Sequence, residues 1–141
     1  MSNAVLLDTH ILICLGSGTL PASALACIEL AGAEDGALVS PISAWEIGLL
    51  ARPTSSQRER PQFLPDPLSW FDDLMQHPAL APTPFTSAIA VSASFLPGPL
   101  HRDPADRFMI ATARALNIPL LTCDEAILAY AAQGHLRAIT C

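Results

Sequence analysis

The sequence predicts an α/β fold, a central parallel β-sheet flanked by helices on both faces. Two observations carry that expectation. Five short apolar runs, Ala4–Leu7, Ala37–Ser40, Leu80–Thr83, Pro119–Thr122 and Leu136–Thr140, are continuous rather than alternating, the pattern of strands buried on both faces. The segments between them carry helical spacing, so strand and helix alternate along the chain. A length of 141 residues suits one domain, 1–141, with no internal repeat and no boundary.

The elements follow in order. In "LLDTHILIC" a strand ends at Leu7 and a helix begins at Thr9, with Asp8 at the junction. Pro21–Ala33 reads as a helix after the turn "GSGTL". Ser43–Ala51 places Ile47, Leu50 and Ala51 at helical spacing. Pro67–Met75, Thr86–Phe95, Pro104–Leu116 and Glu125–Ala132 complete the helices. Two stretches are loops by chemistry, because proline removes donors and fixes backbone angles. One is "RPTSSQRERPQFLPDP", 52–67, polar and long enough to be expected to move. The other is "LPGPLHR", from Leu96 to Arg102.

Composition narrows the class. Hydrophobic residues make up 51% of the chain and charged residues 14%, which places it among globular rather than disordered chains. No apolar run approaches the ~20 residues that span a bilayer. No basic region precedes the first strand, so neither a membrane segment nor a signal peptide is expected. Net charge is −6, and all seven Lys-plus-Arg positions are Arg. That balance argues against binding nucleic acid through a broad basic face, but not against gripping phosphate through a metal ion. Cys14, Cys27, Cys123 and Cys141 show no close pairing and no metal-ligand spacing. They read as reduced, mostly buried thiols of a cytoplasmic protein.

The acidic residues raise the functional question. Asp8 and Asp124 follow strand ends, Glu46 lies in "PISAWEIGLL", and Asp103 and Asp106 lie in "HRDPADRFMIATA". Each has a structural explanation. Asp8 can cap the helix at Thr9, and Ser43 with Glu46 has capping-box spacing, as does Thr122 with Glu125. Asp103 before Pro104 suits an N-cap, and Asp106 then lies in the first turn, where a carboxylate suits the helix dipole. Topology supplies a second explanation. Strand C-termini of a parallel sheet share one edge, where ligands bind. Carboxylates gathered there would repel one another but would suit a hard divalent cation, Mg2+ or Mn2+.

At these residues the chain resembles the PIN-domain ribonucleases, and among them the VapC-type toxins of bacterial toxin–antitoxin modules. "LLDTHILI", "SAWEIGLL", "HRDPADRFMIATA" and "LLTCDEAI" resemble the family's four motifs, in order and over essentially the whole chain. The resemblance implies a PIN-like fold and a metal-dependent endoribonuclease that leaves a 5′-phosphate and a 3′-hydroxyl. It places Asp8, Glu46, Asp106 and Asp124 in the acidic site, with Asp103 as a ligand beside or instead of Asp106. Thr9 and Ser43 would support the ligands from behind. It further implies an RNA substrate, a cognate VapB-like antitoxin and a homodimer. Ala105 stands where relatives often carry an aromatic residue, and Cys123 where a basic one is common. With no Lys present, phosphate contact falls to Arg, with Arg102 and Arg107 as candidates. Arg52, Arg58 and Arg60 could approach RNA from the 52–67 loop. His101 reads as a solvated loop residue, Trp45 and Trp70 as core, and "WFDDLM" as an apolar groove for an antitoxin helix or a dimer surface.

Other readings fit less well. A haloacid-dehalogenase-type phosphatase wants a second Asp where His10 stands, and a response-regulator receiver wants a Lys. A dinucleotide-binding domain wants its glycine motif directly after the first strand, and "GSG" comes a helix too late. The alternative from another class is a catalytically weak PIN-like binding module that sequesters RNA or docks an antitoxin. Such a module would be expected to have lost a ligand, and all are present.

Overall fold

The computed structural model describes residues 3–53 and 62–141. Arg58 and Arg60 lie outside the described residues. Five strands, β1 (Val5–Leu7), β2 (Ala37–Val39), β3 (Leu80–Pro82), β4 (Leu120–Thr122) and β5 (Ala138–Thr140), form one sheet in the order β3-β2-β1-β4-β5. All pairings are parallel, with Leu6 opposite Leu38 on one side and Leu120 on the other. The helices are α1 (Thr9–Ser17), α2 (Ala22–Gly32), α3 (Pro41–Ala51), α4 (Pro67–Leu74), α5 (Ser87–Ser94), α6 (Pro104–Leu116) and α7 (Glu125–Ala132). The predicted α/β class and the order of elements hold, with ends shifted by a few residues.

The continuous apolar strands separate by the alternation of the pleat. Val5 and Leu7 join Ile11, Leu12, Ile28 and Ile47 in a core on one face. Leu6 turns to the other face with Leu120, Met109, Ile110, Ile127 and Tyr130. One helix layer alone could not bury both sets, so helices cover both faces. α5 packs on α6 through Ile89, Ala93 and Ala111.

Local chemistry sets the boundaries. Gly18, at φ +74°, ends α1 in the left-handed conformation, and its N–H reaches back to the Cys14 and Leu15 carbonyls. Ser40 caps α3 by accepting the Ile42 N–H, with Pro41 in the first turn. This corrects the Ser43–Glu46 capping box, because Ser43 lies inside the helix. Asp124, not Thr122, caps α7 and accepts the N–H groups of Ala126 and Ile127.

Three further expectations change. Trp45 is about half exposed, at 48%, on the outer side of α3, whereas Trp70 packs on the core and meets the Phe63 ring edge-on. Phe71, Leu74 and Met75 pack against the same core but stay only half-buried, so "WFDDLM" turns partly inward and is not a free groove. None of the four cysteines is fully buried, and Cys123 and Cys141 form a disulfide with Cα atoms 5.4 Å apart. The register explains the pair: Thr122 lies opposite Thr140, so the next residues of two parallel strands are neighbours. The reduced-thiol reading holds only for Cys14 and Cys27. Among the described residues, no single helix is long and apolar enough to cross a membrane.

Candidate functional site

The chain fills the sheet outward from β1, first through β2 to β3 and then through β4 to β5. The reversal leaves a crevice beyond the C-terminal ends of β1 and β4, where open parallel sheets bind ligands. Asp8 and Asp124 stand at these two ends. Asp8 is buried and its N–H donates to the Leu121 carbonyl, which fixes it to β4. Its Oδ1 accepts the Thr9 N–H at 2.8 Å and its Oδ2 accepts the Thr122 hydroxyl at 2.6 Å. Asp8 is therefore the N-cap of α1 and a member of the acidic edge together.

Thr122 links the two strand ends. It is fully buried, donates to Asp8 and accepts the Asp124 N–H at 3.0 Å. Thr9 does the same between β1 and α3. Its hydroxyl donates to Glu46 Oε1 at 2.5 Å, which leaves Ser43 to donate to Thr9 across 2.9 Å. Thr9 and Ser43 thus stand behind Glu46.

The third contribution comes from the start of α6. Asp103 caps that helix by accepting the Asp106 N–H at 3.2 Å. Asp106 points toward His101, whose Nε2 lies 3.3 Å from Asp106 Oδ2. The His101 Nδ1 accepts the Asp103 N–H, so the ring proton sits on Nε2, aimed at Asp106.

Electrostatics ties the set together. Burial raises the Asp8 carboxyl above its usual range; the Thr122 hydroxyl and Thr9 N–H oppose this, and the Asp124 charge adds to it. Burial also raises Glu46, the Thr9 hydroxyl opposes, and Asp8 and Asp103 add to it. Asp106 is pushed up to about 7, first by burial and then by Asp103, Asp124, Asp8 and Glu46. All five acidic candidates therefore sit within electrostatic range at one edge. Among the described residues, no three Asp, Glu, His or Cys side chains form a ready-made ligand group. The donor set is nonetheless all oxygen and mutually repelling, which fits a hard divalent cation.

The basic candidates divide. Arg102 is exposed beside the acidic edge. Arg107 is half-buried, and its Nε donates to the Ala93 carbonyl at 3.0 Å, which ties α6 to α5. Arg52 is exposed at the end of α3. One residue of this site is not legible in the sequence pattern, and a second has a contact beyond it. The capping-box spacing of Thr122 with Glu125 hides its role, although a hydroxyl at a strand end two residues before an Asp is a signal. His101 is an exposed loop residue, as expected, and its spacing of two from Asp103 also lets the ring accept that N–H.

A parallel α/β domain with carboxylates gathered at its topological switch point belongs to the open-sheet folds that bind their ligands at that crevice. The PIN domain family model matches residues 5–133, and the chain belongs to that family. It is 31% identical over 136 residues to Ribonuclease VapC22 of Mycobacterium tuberculosis, covering 96% of each chain. Its fold is that of a chain in the crystal structure of VapBC2 from Rickettsia felis bound to a promoter DNA fragment, at a TM-score of 0.69, 17% identity and coverage of 97% and 98%. It is also similar to a chain of FitAcB from Neisseria gonorrhoeae, at a TM-score of 0.57, 15% identity and 96% coverage of each chain.

Proposed function

We propose that this chain is a metal-dependent endoribonuclease of the VapC type, which cuts RNA and is neutralised by a cognate VapB-like antitoxin. The observation that carries the reading is the gathering of acidic side chains where β1 and β4 end, with Asp106 raised to about 7 by burial first and then by its acidic neighbours. Half-buried carboxylates that repel one another are poor stabilisation and suit an edge that takes a cation. The similarity to a ribonuclease over 96% of the chain supports the same reading.

Asp8, Glu46, Asp106 and Asp124 would hold Mg2+ or Mn2+, with Asp103 beside Asp106. A cation bound there would polarise a phosphodiester and lower the pKa of a water it carries. The protein's own residues prepare that place. Thr122 and the Thr9 N–H fix both oxygens of Asp8. Thr9 holds Glu46, and His101 orients Asp106. Arg102, exposed and directly before the Asp103 that caps α6, is the candidate for an incoming phosphate, since Arg offers forked donors. The resemblance further supports a homodimer acting in the cytoplasm.

The test pairs cleavage with metal response. Asp8→Asn keeps the helix cap, because Asn caps about as well as Asp. The variant should fail to cleave a mixed RNA pool in Mg2+ or Mn2+, as wild type should fail in EDTA. Its metal-free stability should stay close to wild type, because relief of a buried charge offsets the disturbed Thr122 contact. An Asp8→Asn protein that cuts RNA at the wild-type rate, in a metal-dependent way, would sink the proposal.

A further inference from the structure

Cys123 separates two residues of the acidic edge. On one side is Thr122, which is fully buried and donates to Asp8; on the other is Asp124, whose N–H returns to Thr122. The partner of Cys123 is Cys141, directly after β5. β5 is an edge strand of three residues paired only with β4, and Ile139 and Thr140 are exposed. Little apolar burial holds it, so its ladder belongs to the weakly protected end of the fold. A bond across the strand ends joins that weak edge to the turn carrying Asp124.

The two sulfurs differ in access. Cys123 is exposed, while Cys141 is half-buried against the core. Exposed disulfides are the labile ones, open to exchange with small thiols. Cys14 and Cys27 are free and take no part. We propose that Cys123 and Cys141 are a reversible thiol–disulfide site, exchanged by small-molecule disulfides of the glutathione kind, whose closure fastens β5 to β4 and fixes the turn that carries Asp124. The bearing on Asp124 as a ligand rests on the nuclease reading; the bond and its mechanical effect do not.

The chemistry balances. The Cys123 thiolate attacks one sulfur of the small disulfide, forming a mixed disulfide and expelling one small thiolate. The Cys141 thiolate then attacks the Cys123 sulfur, forming the Cys123–Cys141 bond and expelling the second. Two protein thiols are oxidised, one small disulfide is reduced, and the two protons pass through solvent to the expelled thiolates. Reopening uses two small thiols in the reverse order.

The test equilibrates the full chain in glutathione buffers of graded oxidised-to-reduced ratio, alkylates free thiols, maps them by peptide mass, and follows amide exchange by NMR. In the oxidised buffers Cys123 and Cys141 should escape alkylation as one intramolecular bond, while Cys14 and Cys27 react throughout. Closure should slow exchange of the Asp124 amide and of Ala138–Thr140 by about ten-fold. Cys141→Ser should instead trap one glutathione on Cys123 and show no slowing. Alkylation of all four thiols at every ratio, a bond joining two copies, or closure with unchanged exchange would each overturn the proposal. RNA is absent from this measurement, so its outcome is independent of whether the chain is a nuclease.

Discussion

Asp106 is the residue on which the rest of the acidic edge acts together. Burial and four like charges raise its carboxyl from 3.8 to about 7. An acid whose value is higher folded than unfolded binds protons preferentially in the folded state. Its contribution to stability is therefore fully present below pH 3.8 and is lost as pH rises through about 7. Asp8 and Glu46 are raised too and act in the same direction. The metal-free protein should have a lower thermal midpoint at about pH 8 than at about pH 5, and Asp106→Asn should flatten that difference. Equal slopes in the two proteins would remove Asp106 as the responsible group. Thr122 offers a second test. Thr122→Val keeps the shape but leaves Asp8 Oδ2 and the Asp124 N–H without their buried partner. A destabilisation of about 1–3 kcal/mol in urea unfolding is expected.

At the scale of elements, the close approach of α2 to the sheet is decided at Gly32. A β-carbon there would stand 2.5 Å from the Ala79 β-carbon and 2.6 Å from its α-carbon. In an open helix, exchange of Gly for Ala stabilises by about 1 kcal/mol. Here the sign should reverse, because α2 must move off the strand β3 that Ala79 leads into. Gly32→Ala is expected to cost about 1–3 kcal/mol, measured by chemical denaturation. A gain in stability would show that α2 can shift freely. The start of α6 shows a different economy of parts. Asp103 caps the helix and also adds its charge to Asp106, while His101 accepts the Asp103 N–H and faces Asp106. Capping and site-building are carried by the same atoms.

For the whole molecule, like charges gathered at one sheet edge stand against two apolar cores, one on each face of the sheet. Ligand binding to the native state raises stability with the logarithm of one plus the ratio of free ligand to Kd. Mn2+ at roughly a hundred times its Kd should stabilise wild type by about 2.7 kcal/mol, and Asp8→Asn by much less. Scanning calorimetry across a metal titration measures both. A wild-type midpoint indifferent to Mg2+ and Mn2+ would argue that the edge holds no cation. Trp45, Leu49 and Leu50 on α3, and Val91 and Phe95 on and after α5, are exposed apolar side chains. Together with the family resemblance they support self-association. Light scattering should find a dimer at micromolar concentration, and a strict monomer, alone and with antitoxin, would count against it.

The sequence by itself determined the strands, the helices and the acidic candidates. Leu6 and Leu7 can sit only where both faces are covered, and apolar strands alternating with helical segments leave few folds but a parallel α/β sheet. The four motifs carried the family. What tertiary structure decided is which atoms meet. Thr122 and Asp8 are 114 positions apart in the chain, and only the pairing of β1 with β4 brings hydroxyl to carboxylate. Cys123 and Cys141 look unrelated until the β4–β5 register makes them neighbours. The raised Asp106 carboxyl likewise depends on its burial and on charges from the ends of β1 and β4, from α3 and from the head of α6. Periodicity records which faces are buried, because burial acts on each residue where it stands. It does not record distances between remote residues, because those follow from register and from the angle at which helices leave the sheet.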